Sequence, residues 1–222
     1  MKHVLHQTNK KMNITIFGGT GPAGLLVIER ALHNGHMVTA FARTPSKIFI
    51  QHNNLKIVKG ELTQPGKIDE AIKGADAVIS LLGPKTNSKG LLVSTGIKNI
   101  INSMRKNGTK RLIAAVSSSY RDANDKFQFG FEFGVVMLRV LAGNILKDIV
   151  GMGKQIAESQ LDWTVVRLPM LTNKPPKGKL NIGYTGDGKI KFFSLTRADL
   201  ANFLVQQLDD NIYLHKAPVI SN

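Results

Sequence analysis

A doubly wound, mostly parallel α/β sheet is the fold class this chain predicts, and three observations predict it. Near-continuous apolar segments alternate with segments of helical period from Ile14 to Pro169, the pattern of strands buried on both faces and joined by crossover helices. The first strand runs directly into a glycine turn and a helix in ITIFGGTGPAG, Ile14 to Gly24. At 222 residues the chain can bury a full core as one domain, and no composition shift divides it.

Ile14, Ile16 and Phe17 supply the first strand. Gly18, Gly21 and Gly24 let the backbone turn tightly, approach a pyrophosphate and pack helix on strand. The helix over Pro22 to Asn34 begins with free N–H groups and the positive end of its dipole aimed at that turn, which favours an anion there. HMVTAFAR, His36 to Arg43, reads as the second strand. His33 and His36 have no carboxylate or third histidine with them, so they mark the turn into that strand and not a metal site. Leu55 to Gly60 forms the third strand, a helix covers Gly66 to Lys73, and ADAVISLLG, Ala75 to Gly83, forms the fourth strand.

Leu91 to Asn107 has a helical period and ends at Asn107-Gly108. RLIAAVSSS, Arg111 to Ser119, is the fifth strand, a long helix spans Gly134 to Gln160, and LDWTVVRLP, Leu161 to Pro169, is the sixth strand. From Met170 the alternation loosens into TNKPPKGKLNIGYTGDG, read as loops and short strands above the carboxyl edge of the sheet. Thr196-Arg197-Ala198-Asp199 then opens a last helix with a capping-box pattern. The expected result is one Rossmann-type domain over residues 12–222. Its substrate-side elements lie near 120–135 and 170–196, and residues 1–11 form a flexible extension. Ligands in open α/β sheets bind at the carboxyl ends of the strands, so the segments after strands one, two, four, five and six should converge.

Hydrophobic residues make up 42% of the chain, and no apolar run approaches the roughly 18 to 20 residues that cross a bilayer, so a soluble protein without membrane contact is expected. Residues 1–11 are polar and basic, without the apolar core of a secretory signal. There is no cysteine, which excludes disulfides, thiol catalysis and cysteine metal sites and fits a reducing cytoplasm. The net charge of +15 raises the question of nucleic acid. The basic residues are scattered, however, with small groups only at Arg105, Lys106, Lys110, Arg111 and at Lys174, Lys177, Lys179. A solvated basic surface that attracts anionic cofactors is expected, with no specific nucleic-acid role. Asp148 and Lys154 on the long helix read as solvated. A monomer or a homodimer fits equally.

The end of the second strand decides between the two nicotinamide dinucleotides. An NAD site wants a carboxylate there for the ribose hydroxyls, but this chain has Phe41-Ala42-Arg43-Thr44-Pro45-Ser46-Lys47. Arg43 and Lys47 offer a guanidinium and an ammonium to a 2′-phosphate, which argues for NADP(H) over NAD(H). The turn lacks the Gly-Lys-Ser/Thr ending of a P-loop, so ATP hydrolysis is not expected.

Several landmarks carry a resemblance: GGTGPAG, Ala42-Arg43, Gly60-Glu61-Leu62, Leu81-Leu82-Gly83, Val116 to Ser119, Val166 to Pro169, and Ser194 to Ala201. Together they resemble the atypical short-chain dehydrogenase/reductase family that includes the NmrA-like proteins and the biliverdin reductase B or flavin reductase group. The resemblance implies that Gly18, Thr20, Gly21, Pro22, Ala23 and Gly24 hold the pyrophosphate and that Arg43 and Lys47 hold the 2′-phosphate. It also implies that Glu61 and Leu62 flank the adenine, with Glu61 standing where the family usually has aspartate. Leu82 and Gly83 would pass beneath the nicotinamide ribose, and Ser117, Ser118 and Pro169 would line the nicotinamide.

Ordinary short-chain dehydrogenases use a Tyr-x-x-x-Lys pair as acid or base, and no such spacing occurs here. The flavin and biliverdin reductase group also lacks it, because hydride transfer to an electron-poor ring needs mainly a bound cofactor and a stacked acceptor. By resemblance Ser118 is the positioning or proton-relay hydroxyl. The alternative is a serine that bonds local backbone at a strand end. Met170 stands where the group carries a histidine, which removes a titratable wall and speaks against biliverdin while leaving flavin or quinone as the small-molecule acceptor. Met170, Tyr120, Phe127 and Phe129 are the candidate substrate contacts. Phe127, Phe129, Phe131 and Phe133 alternate in sequence, so an extended segment would place a run of rings on one face, for a flat substrate, a buried strand or a dimer contact. The function expected is an NADPH-dependent oxidoreductase, and the competing expectation is a non-catalytic NADP-sensing regulator of the NmrA-like type.

Overall fold

Successive side chains of a strand point to opposite faces, and β1 (Asn13–Phe17) shows why both faces of this sheet are covered. Ile14 and Ile16 pack into one apolar layer, with α1 (Pro22–His33) and later α5 (Arg197–Gln206). Phe17 faces the other layer, with α2 (Pro65–Ile72), α3 (Leu92–Lys106) and the second half of α4 (Phe129–Ala157). The computed structural model describes residues 10–84, 92–190 and 193–222. The expected extension at 1–11 therefore lies largely outside the described residues, as do Leu91 and residues 191–192.

The central sheet runs β3-β2-β1-β4-β5-β6-β10-β8, with β2 Met37–Ala42, β3 Leu55–Lys59, β4 Ala77–Ser80, β5 Arg111–Ser117, β6 Asp162–Leu168, β8 Asn181–Gly183 and β10 Val219–Ser221. All pairings are parallel except β10 with β8. This confirms the doubly wound parallel sheet. The strand order reverses between β1 and β4, which places a crevice at their carboxyl ends. A two-stranded parallel sheet, β7 (Met170–Thr172) with β9 (Ser194–Thr196), stands beside that edge. The expected capping box is half formed: Thr196 Oγ1 accepts from the Asp199 N–H, while Thr196 N–H donates to Asn222 Oδ1.

Four expectations need correction. The helix expected from Gly134 begins at Phe129 and breaks at Ala142, where φ is −148° and ψ 47°. The four phenylalanines therefore do not form one extended face. On a helix, residues two apart point in different directions, and Phe131 is buried while Phe129 and Phe133 are exposed. Second, α4 is long and apolar enough to cross a membrane by length and composition alone. The glycines and Arg139 that interrupt its sequence hid this. Third, Asp148 is not solvated. It is 1% exposed and accepts from the N–H groups of Val93 and Ser94 at 3.1 and 2.7 Å, so it caps α3 from a neighbouring helix. Fourth, the fourth strand is only Ala77–Ser80.

Candidate functional site

The turn between β1 and α1 is shaped by what each glycine must avoid. Gly18 has φ +85°, and a Cβ there would stand 2.8 Å from the carbonyl of Leu81 at the end of β4. A Cβ on Gly24 would press into the Gly18 carbonyl and lie 2.7 Å from Gly19 Cα. These two glycines let β1, β4 and α1 close on one another, and the fold demands them. Gly21 differs. Its φ and ψ of −81° and 160° suit any residue, and a Cβ there would meet nothing nearer than the Gly18 carbonyl oxygen at 3.6 Å. Nothing among the described residues requires glycine at 21.

Gly21 is also the N-cap of α1, with no side-chain cap and no acidic residue in the first turn. Pro22 fills N1, where no donor is lost. The N–H groups of Ala23 and Gly24 have no intrahelical acceptor, and the helix dipole adds partial positive charge at the same point. Thr20 is half-buried beside them. An open cradle, uncapped donors and a glycine without internal cause fit a diphosphate held against the helix N-terminus.

Arg43 and Lys47 flank the end of β2, both exposed, and neither side chain makes a hydrogen bond or ion pair among the described residues. Both side chains are thus uncommitted beside the crevice. Gly60 lies against the Phe41 ring, where a Cβ would come within 2.7 Å, and Glu61 projects into solvent with its N–H on Gln64 Oε1 at 2.9 Å. Leu62 sits on Gly96 of α3, and its carbonyl accepts from Asn99 Nδ2 at 2.8 Å. Leu82 is half-buried, packed on the layer of α2, α3 and α4, while Gly83 is exposed.

At the end of β5 the two serines differ. Ser117 Oγ is engaged with Ser119, through its hydroxyl at 3.2 Å and its N–H at 3.3 Å. Ser118 N–H donates to Leu168 O at 2.9 Å, while no partner is recorded for its hydroxyl among the described residues. The local backbone role expected of a strand-end serine therefore falls to Ser117. Tyr120 packs face-on to Gly153 of α4, a position where any Cβ would enter the ring. Burial pushes its phenol above the usual tyrosine value, as does the charge of Asp122, with Arg167 opposing. Lys154, next to Gly153, is exposed and faces Glu158, and among the described residues no lysine acts to lower the pKa of Tyr120.

Pro169 is half-buried and Met170 is 71% exposed, with the Met170 N–H on Phe193 O at 3.1 Å. Phe127 and Phe129 are also exposed. The candidate substrate contacts thus form no closed pocket among the described residues, and no cluster of potential metal ligands occurs among them.

Sequence reasoning missed the group that organises the substrate side. Arg167 on β6 is fully buried and binds Asp125 with two parallel hydrogen bonds, while its Nε donates to Ala217 O at 2.6 Å and its Nη1 to Tyr120 O at 3.0 Å. Asp125 also accepts the N–H groups of Asp122 and Thr185 at 2.9 Å. Burial alone would raise the Asp125 pKa, but the hydrogen bond and charge of Arg167 with these N–H groups outweigh it and hold it below the usual value. The signal was an arginine inside an otherwise apolar strand, VVRLP, which a buried carboxylate must answer.

Fold and site together define a dinucleotide-binding α/β domain. The chain belongs to the NAD(P)H-binding family, whose model matches residues 18–211. It is similar to the isoflavone reductase homolog IRL of Zea mays, 27% identical over 227 residues that cover 91% of this chain and 66% of that one. The chain thus spans a little under two thirds of that relative's length. It superposes on the oxidoreductase ylbE of Lactococcus lactis with a TM-score of 0.77 at 21% identity, covering 95% of this chain and 91% of the other. It superposes on ChuY, an anaerobillin reductase from Escherichia coli O157:H7, with a TM-score of 0.74 at 18% identity, covering 94% and 96%.

Proposed function

We propose that the protein is an NADPH-dependent reductase that passes hydride to a flat acceptor such as a flavin or quinone. The observation that carries the cofactor reading is the uncapped N-terminus of α1 at Gly21, where no contact among the described residues requires glycine and the backbone is open to an approaching ligand. NADPH bound there supplies the hydride. Arg43 and Lys47 take the 2′-phosphate, which neither could do from a protein salt bridge. Ser117, Ser118 and Pro169 line the nicotinamide, and the unengaged Ser118 hydroxyl holds the acceptor or passes it a proton. Met170 and Phe129 offer apolar contact to a ring. The anaerobillin reductase name of ChuY and the isoflavone reductase name of the maize relative are in keeping with a reductase. A cysteine-free chain also suits the reducing cytoplasm where this reading places it.

One observation favours a second reading, a non-catalytic NADP-sensing regulator: Tyr120 is wedged on Gly153 with a raised pKa and no lysine beside it. NADPH oxidation with FMN, FAD and quinones separates the two. Turnover with any of them supports the reductase. Tight NADPH binding with no turnover, together with a partner captured only in one redox state of the cofactor, supports the regulator.

A further inference from the structure

The first half of α4 is turned inside out. Phe131, Val135 and Leu138 face the protein, while Phe129, Phe133, Val136, Val140 and Leu141 face outward at 76, 60, 52, 73 and 76% exposure. A helix on a domain surface normally gives its polar face to water. Here only 6% of the most apolar stretch is buried inside the protein. A contiguous apolar face of this kind marks a docking surface.

Charge selects the occupant. Glu132 is neutralised by Arg121, and the remaining charges from residue 126 to 147 are Lys126, Arg139 and Lys147, all exposed. The whole chain carries +15. Two copies meeting through this face repel one another, whereas an anionic lipid surface attracts both the patch and the molecule behind it. Geometry selects the mode. Beyond the break at Ala142 the helix buries Leu146, Asp148, Ile149 and Met152 in the protein. The segment that bears the exposed face, Phe129 to Leu141, is about 20 Å long at 1.5 Å per residue. That is short of the roughly 30 Å hydrocarbon core, so the helix lies in the plane of the interface.

We propose that the outward face of the first half of α4 docks on an anionic lipid bilayer, with Phe133, Val136, Val140 and Leu141 entering the boundary between headgroups and acyl chains. This departs from the expectation of no membrane contact, which considered only a span. Residues 118–128 lead from the carboxyl end of β5 into this segment, so docking turns the crevice edge of the sheet toward the lipid. The inference holds whichever acceptor is used.

Co-sedimentation of the full chain with phosphatidylcholine vesicles, with and without phosphatidylglycerol, tests it. Binding to the anionic vesicles is expected, weakened by salt. The variant Phe133→Ser/Val136→Ser/Val140→Ser should bind at least about tenfold more weakly, with its thermal melt near that of the unmodified chain. No sedimentation of the unmodified chain, or equal binding by the variant, overturns the proposal. So does a dimer seen without lipid in sedimentation velocity that the variant dissolves, because the face then belongs to a second copy. Should the variant fail to fold, the cysteine-free background allows single labels at Val140→Cys and Ile212→Cys. Nitroxide lipids should quench the fluorophore at 140 and not at 212, and equal or no quenching at 140 contradicts the proposal.

Discussion

Arg167 and Asp125 meet through two parallel hydrogen bonds of 2.6 and 2.7 Å, both side chains fully withdrawn from solvent. The pair ties β6 to the loop that follows β5 and, through Thr185, to the turn after β8. Removing one partner leaves a buried charge unanswered. Arg167→Met should cost about 3–5 kcal/mol. The double variant Arg167→Met/Asp125→Leu should recover part of it, because no ion then stays buried. Denaturant unfolding of both variants checks this.

The same carboxylates set the acid limb of stability. Asp125 and Asp199 are both held below the usual aspartate value, Asp199 because the Thr196 hydroxyl, the N–H groups of Lys177 and Gly178 and the Asn222 amide outweigh its burial. Between the folded pKa and the unfolded value near 4, the unfolded chain binds more protons. Their stabilisation is thus complete above about pH 4 and is lost as pH falls through the folded values. His36 adds an earlier step. Burial holds its pKa down against the charge of Asp209, so stability starts to fall below about pH 6.5. Melting temperature against pH should show two limbs, and His36→Asn should flatten only the upper one.

The two helix-turn glycines should separate under substitution. Gly24→Ala meets the Gly18 carbonyl and should lose about 1–3 kcal/mol of stability. Gly21→Ala should leave the melting temperature within about 2 °C while weakening NADPH binding about tenfold or more. Calorimetric melts and cofactor titration on the two variants decide it.

These glycines also show how far the sequence was legible. Gly18, Gly21 and Gly24 announce a strand, a turn and a helix by spacing alone, and the alternation after them places every central strand of the parallel sheet. Spacing does not say which glycine serves the fold and which the ligand, because that depends on Leu81 arriving from β4. Asp148 was misread because its partners, Val93 and Ser94, lie more than fifty residues away. Arg167 and Asp125 are likewise joined only by the sheet. The stretch holding β8 was legible as loops and short strands but not as an edge of the central sheet, and β10 escaped notice since three residues carry too little pattern to show a period.

Ser118 and Ser117 offer a paired test of the chemistry. Ser118→Ala should lower kcat for acceptor reduction about tenfold, roughly one hydrogen bond's worth, with little change in KM for NADPH. Ser117→Ala breaks the contact with Ser119 and should act chiefly on the melting temperature. Stopped-flow NADPH oxidation on both variants distinguishes a hydroxyl that touches the acceptor from one that shapes the turn.

In the proposed function cofactor choice rests on Arg43 and Lys47, and titrating the protein with NADPH and with NADH is the most direct test of the site. NADPH should bind at least about tenfold more tightly, and Arg43→Ala/Lys47→Ala should bring the two affinities together by weakening NADPH alone. Equal affinities in the unmodified chain, or an NADPH preference that survives the double substitution, would contradict the assignment.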